Sequence, residues 1–346
     1  MSEEPPRPPR RKRYGGKNPR RFEDKYKEHD PARYAETIAK VIASGKTPAG
    51  SHIPILLEEC IDALALQAGM VGVDATLGHG GHALGILQKI APAGKLIGLD
   101  IDPMELPKTA ARLAAKGFSE GCFEALRSNY AGIAKVIAAR GLTGVDFVMA
   151  DLGCSSMQFD NPSRGFSFKV AGPLDMRMNP ERGLSASDWL AKVSVAKFEN
   201  VLHDYSDEPR AGSIAVALAG NQFSSTLDFA QAIRESIRVS DEDERERTVR
   251  RVFQAVRIAV NEEFTALDAF LRELPRCLKP GGRAAILTFH SGEDRRVKQS
   301  FKAGIRDGLY SEMNDQVIIA SDDERRLNPR SSSAKLRWVI RASDSD

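Results

Sequence analysis

The sequence predicts an α/β protein: a Rossmann-like, doubly wound sheet interrupted by an all-helical insertion. Three observations carry this. Residues 71–82, Val-Gly-Val-Asp-Ala-Thr-Leu-Gly-His-Gly-Gly-His, run a short apolar strand into a glycine turn. A second apolar run, Lys95-Leu-Ile-Gly-Leu-Asp100, follows a helix-like stretch over 82–90 and again ends in an acid. Residues 160–250 then hold no convincing strand, although strands and helices alternate on both sides of them. Alternation of that kind builds a parallel sheet whose ligands gather at the carboxyl ends of its strands.

The elements follow in order. Residues 5–21 are dense in proline, arginine and lysine and contain no acid, so they read as a disordered arm suited to nucleic-acid phosphates. A short helix is predicted over 31–45 and closes the first segment, 1–50. An amphipathic helix over 52–66 leads into the strand at 71–74. Further units are a helix over 103–115, a strand at 122–126, a helix over 130–139 and a buried strand at 145–151, which also ends in an acid. A Gly/Pro-rich loop (161–182) opens the insertion, 160–250. Helices are predicted in it over 187–202, 211–221 and 227–239. A long helix over 250–274 returns to strands at 284–289, 316–320 and 335–341, the last forming an antiparallel edge. The main domain thus comprises 51–159 and 251–342.

Composition bounds the function. The chain has 346 residues, 42% hydrophobic and 28% charged, with a net charge of +3. That is ample for a globular core. No apolar run is long enough for a membrane helix, and no secretory signal opens the chain. Cys60, Cys122, Cys154 and Cys277 stand singly, which argues for a cytoplasmic protein with neither disulfides nor a metal site. Oligomeric state is left open.

The glycine turn is informative in detail. Gly78-His79-Gly80-Gly81-His82 lacks the third spaced glycine of the dinucleotide fingerprint, and no Lys-Ser/Thr pair follows it. A dehydrogenase would want that full fingerprint. An adenosine ligand without a pyrophosphate, S-adenosylmethionine, fits better, with Asp100 accepting from ribose hydroxyls. Three other stretches carry chemistry. Asp151-Leu-Gly-Cys-Ser-Ser-Met-Gln158 leaves the fourth strand, and Thr288-Phe-His-Ser-Gly-Glu-Asp-Arg-Arg296 leaves the fifth. Between them, Arg164-Gly-Phe-Ser-Phe168 and Gly172-Pro-Leu-Asp-Met-Arg-Met178 interleave aromatics and methionines with arginines. Ser155, Ser156, His290 and Asp294 are predicted to cluster. A nucleophilic hydrolase would need a G-x-S-x-G elbow, which is missing.

These segments resemble one family. His52-Ile-Pro-Ile-Leu-Leu-Glu-Glu, Asp74 to His82, Asp100-Ile-Asp-Pro103, Asp151 to Gln158, Arg164 to Phe168 and Pro173 to Met178 are similar to the bacterial 16S ribosomal RNA cytosine-N4 methyltransferases (RsmH, also called MraW). So are Phe253 to Glu263, Phe289-His-Ser and Asn328-Pro-Arg330, in family order. Tyr130 stands where that family usually has phenylalanine, and Tyr205-Ser-Asp-Glu208 where it usually has Tyr-Gly-Glu-Glu.

The resemblance implies a class I S-adenosylmethionine-dependent methyltransferase acting on 16S rRNA of the small ribosomal subunit. The implied reaction is N4-methylation of a cytidine, about position 1402 in standard small-subunit numbering. It implies a cofactor site on Gly78, Gly80, Gly81, His82, Asp100, Tyr130, Asp151 and Gln158. For the substrate, Phe166, Phe168 and Met176 are expected to wall a flipped base and Arg164 and Arg177 to meet phosphates. Ser155, Ser156, His290 and Asp294 are expected to grip the exocyclic amine and take its proton. The alternatives are a non-catalytic ribosome-binding factor of the same fold, which cofactor binding separates, and a methyltransferase of the same fold acting on a different RNA target.

Overall fold

The computed structural model describes residues 54–119 and 121–343. The basic arm and the helix expected over 31–45 lie outside them. The first helix, α1 (Leu57–Leu64), leads into β1 (Val71–Asp74), α2 (Gly81–Ile90), β2 (Lys95–Asp100), α3 (Leu106–Ala115), β3 (Phe123–Arg127), α4 (Ile133–Ala138) and β4 (Val145–Asp151). A short α5 (Ser156–Asp160) follows, then α6 (Ala186–Lys192), α7 (Val195–Ser206), α8 (Ala211–Leu218), α9 (Thr226–Ser236), α10 (Glu242–Val260) and α11 (Glu263–Cys277). The chain ends with β5 (Leu278–Thr288), α12 (Ser291–Arg306), β6 (Tyr310–Met313), β7 (Ile318–Ile319), α13 (Asp322–Leu327) and β8 (Lys335–Arg341).

The sheet runs β3-β2-β1-β4-β5-β8-β6, with β7 also on β8. The first five strands in that order are parallel, and β8 lies antiparallel to β5, β6 and β7. Strand order reverses between β1 and β4, which is where open α/β sheets form their ligand crevice. This is the class I methyltransferase arrangement. Alternate residues of the central strands feed two cores: Val148 and Ile286 face one, Phe147, Met149 and Leu287 the other. Gly72 is needed where it stands, because a Cβ there would lie 2.2 Å from the Phe147 ring on the neighbouring strand.

Among the described residues, 160–250 form helices and loops with no strand. Their helices share a third core around Phe198, Phe229 and Phe253. α10 crosses residue 250 as one unbroken helix, and Val249, Val252, Phe253 and Val256 along it all belong to that core.

Four elements differ from the sequence reading. The helix expected over 250–274 is two, α10 and α11, broken where Glu262 takes a positive φ of 52°. Asn261 explains the break: its side chain accepts from Met178 N (2.7 Å) and donates to Met176 O (2.8 Å). The helix expected over 187–202 is also two, because Ser194 leaves the helix and caps Lys197 N. The C-terminal edge carries β6, for which the sequence gives no signal, and the strand expected at 316–320 shrinks to two residues. No helix among the described residues is long and apolar enough to cross a membrane.

Candidate active site

The carboxyl ends of β1, β2 and β4 each present an acid. Asp74 is buried; Oδ1 accepts from Thr76 N at 3.1 Å, and Oδ2 has no hydrogen-bond partner. Asp100 accepts from Gly78 N through Oδ2 and from Asp102 N through Oδ1, both at 2.8 Å. Asp151 lies beside His82, with Oδ2 3.5 Å from Nδ1, and its Oδ1 is buried without a partner. Burial pushes the three carboxyls up, Asp74 and Asp100 to about 6 and Asp151, with Glu293 nearby, to about 7. Among the described residues no lysine or arginine pairs with any of them.

The turn over these acids is set by glycine. Gly80 has φ 79° and a Cβ on it would meet Thr109 Cγ2 at 2.7 Å, so both conformation and space demand glycine. Gly81 opens α2, whose first-turn N–H groups have no side-chain cap. His82 is held by Ile55 O at 3.0 Å from Nε2, and burial lowers its basicity. Tyr130 lies further back, its hydroxyl donating to Glu263 O at 3.3 Å and its ring edge-on to Phe270.

A second acid of the 100–103 turn escapes the sequence reading. Asp102 is 1% exposed and accepts from Gln158 Nε2 (2.9 Å) and Arg164 Nη1 (2.7 Å) through the same oxygen. Gln158 in turn completes a capping box: Ser155 N donates to Oε1 and Ser155 Oγ accepts from Gln158 N. Gln158 therefore joins the loop after β4 to the turn after β2. Ser156 is the first residue of the short helix so capped.

At the tip of β5, His290 caps α12, with Nδ1 accepting from Glu293 N at 3.4 Å. Glu293, which also escapes the sequence reading, brings Oε1 to 3.1 Å from His290 Nε2, off line for a hydrogen bond, and accepts from Phe289 N through Oε2 at 2.8 Å. Its Oε1 lies 3.9 Å from where a Cβ on Gly153 would stand, so it faces the loop after β4. A capping histidine three residues before a glutamate is the signal that would have found it. Close by, Arg257 is half-buried, paired doubly with Glu263 at 2.9 Å and 3.5 Å from Cys154 Sγ.

The geometry thus brings together His82, Asp100, Asp151, Gln158, Ser155 and the glycine turn, with His290 beside them. Three expectations need correction. Asp294 turns away from His290 to β8, where it accepts from Arg337 Nε (2.7 Å) and Lys335 Nζ (3.1 Å). Arg164 is 6% exposed and spent inside the fold, on Asp102 and the carbonyls of Arg177 and Met178. Phe166 and Phe168 are buried in the helical core, as is Met176, and Phe168 packs edge-on against Phe253 at 5.5 Å. They wall no open cleft; a loop without periodicity hid their burial. Arg177 is half-buried and doubly bonded to Asp175.

Comparison with known proteins agrees with this architecture. Residues 49–342 match the MraW methylase family. A protein of Agathobacter rectalis named ribosomal RNA small subunit methyltransferase H 1 is 45% identical over 342 residues, covering 96% of this chain and 97% of its own length. A namesake in Lachnoclostridium phytofermentans is 46% identical, with 96% and 93% covered. A ribosomal RNA small subunit methyltransferase H of Heliobacterium modesticaldum is 38% identical, with 83% of this chain and 97% of the relative covered. On its sequence, the chain belongs to the MraW methylase family.

Proposed function

We propose that this protein methylates N4 of a cytidine in 16S rRNA of the small ribosomal subunit, with S-adenosylmethionine as methyl donor. The target expected from the resemblance is the decoding-centre position near 1402. One observation carries the choice of donor. Asp74, Asp100 and Asp151 end neighbouring strands with no lysine or arginine partner among the described residues, and two of them hold a buried oxygen with no hydrogen-bond partner. Buried carboxylates left this way are unfavourable, so the crevice suits a cationic guest. S-adenosylmethionine carries a sulfonium and an ammonium group and, when bound, supplies an electrophilic methyl group.

The chain's own residues divide the work. Gly78, Gly80 and Gly81 offer close approach to backbone, Asp100 accepts from ribose hydroxyls, and His82, Asp151, Gln158 and Tyr130 shape the wall. The exocyclic amine of cytosine is a weak nucleophile because its lone pair is delocalised into the ring. Ser155 and Ser156 orient it, and the Glu293 carboxylate, positioned beside His290, takes the proton it releases. Positioning and a fixed negative charge together lower the barrier. Work on ribosomal subunits is cytoplasmic.

The test is mass spectrometry of rRNA nucleosides from a deletion strain, mapped to position. Loss of N4-methylcytidine at one site, restored by the intact gene, is the expected result. Unchanged methylation would leave a ribosome-binding factor without chemistry.

A further inference from the structure

The geometry points to a direct coupling between the cofactor crevice and the inserted helical segment, taken here as the part that recognises the RNA, carried by the buried Asp102–Arg164 ion pair. This rests on the functional reading above. Asp102 is fixed from the cofactor side, since its N–H donates to Asp100 Oδ1 and Asp100 Oδ2 holds Gly78 N, both at 2.8 Å. Whatever settles on Asp100 or the glycine turn therefore also settles Asp102. From the other side, Arg164 donates to Asp102 Oδ2 at 2.7 Å through one nitrogen and to the carbonyls of Arg177 (3.0 Å) and Met178 (2.9 Å) through the other.

The loop that Arg164 holds is tied to the helical segment in turn. Met176 N donates to Arg164 O at 3.0 Å, and Asn261 pins Met176 O and Met178 N from α10. Gly165 lies so close to the returning chain that a Cβ on it would stand 2.2 Å from Pro173 O. Phe166, Phe168 and Met176 then anchor the loop in the core of the helical segment. A continuous chain of polar contacts thus runs from Gly78 through Asp100, Asp102 and Arg164 to α10.

The chemistry of the pair matters. Hydrophobic residues of similar size would stabilise a buried contact as well or better, so an ion pair here fixes register between two parts. Arg164 does this with a planar fork that reaches a carboxylate and two carbonyls at once, which a lysine ammonium cannot reproduce. A ligand ordering either end of the chain spares the other ligand part of that ordering. The two should therefore bind with positive coupling, equal in both directions.

The experiment is a binding cycle on the full-length protein. S-adenosylhomocysteine affinity is measured with and without purified small ribosomal subunits lacking the methyl group, and subunit affinity with and without S-adenosylhomocysteine. In the wild type each ligand should tighten the other by one common factor, on the order of 5- to 150-fold. Arg164→Lys and Asp102→Asn should bind each ligand alone yet bring that factor close to one. Their KM for RNA should rise more than kcat falls when cofactor is saturating. A wild-type factor of one, with both ligands bound, overturns the coupling without any variant. So does an undiminished factor in folded Arg164→Lys. Failure of the wild type to bind either ligand defeats the functional reading instead.

Discussion

Glu293 Oε1 lies 3.1 Å from His290 Nε2, and both residues belong to the first turn of α12 at the tip of β5. Because the Glu293 N–H donates to Nδ1, Nε2 is the ring nitrogen nearest that carboxylate. Burial would raise the Glu293 carboxyl, but His290 and Arg257 outweigh it and hold it below the ordinary range. Glu293→Gln and His290→Ala should each lower kcat by roughly 10²-fold or more, the scale of one positioned acid–base group. Cofactor affinity should hardly move. Single-turnover methylation beside calorimetry checks both, and normal turnover in Glu293→Gln would remove the pair from the chemistry.

The neighbouring acid should behave differently. Asp294 is tied to Arg337, which is buried, so Asp294→Asn leaves a cation short of its acceptor. Urea unfolding should show a loss of roughly 1–3 kcal/mol. Single-turnover chemistry in the folded variant should stay near normal. A large loss of kcat at unchanged stability would return Asp294 to the reacting groups.

The three strand-end acids predict a pH dependence with a definite sign. Folding raises Asp74 and Asp100 from 3.8 to about 6 and Asp151 to about 7, so the folded protein binds more protons between those limits. Their contribution to stability is therefore full below about 4 and is lost as pH rises toward 7. A cationic ligand needs the ionised acids, so S-adenosylmethionine should bind more tightly at pH 8 than at pH 5.5, releasing protons near pH 6. Calorimetry in buffers of different ionisation enthalpy measures that release. Affinity flat across the range, with no proton released, would sink the idea.

Asp100→Ala removes a ribose acceptor and the anchor of Gly78 N and Asp102 N together. S-adenosylmethionine binding should weaken by roughly 1–3 kcal/mol. Unchanged affinity would take Asp100 out of the site.

How much of this was legible depended on periodicity. The strands β1, β2 and β4 announce themselves because each is an apolar run ending in an acid, and that end is the crevice. β6 is a four-residue edge with Ser311 and Glu312 facing solvent, too short and polar to read as a strand. The break at Asn261 was hidden because the apolar pattern continues across it; tertiary hydrogen bonds to Met176 and Met178 override the helix. Glu293 and Asp294 are adjacent acids on a helix, so they point about 100° apart. Only the cap at His290 says which of them returns to the strand tip.

The arm over 5–21 falls outside the described residues, but its charge alone makes a prediction. Deleting 1–21 should leave cofactor affinity intact and flatten the salt dependence of RNA binding. For every phosphate that the arm no longer neutralises, the log–log slope should fall by roughly 0.7–0.9. An identical slope in the truncated protein would reduce the arm to a solubilising tail.

Asn261 also bears on how this protein can change. One carboxamide closes three backbone positions, accepting from Met178 N and donating to Met176 O and Arg257 O. Aspartate has the length but no donor, leucine neither donor nor acceptor, and glutamine both on a longer stem. The seam between the sheet-bearing core and its helical segment is therefore locked to one side chain. Sequence drift in the surrounding helices must keep that residue in register, or both parts must be rebuilt together.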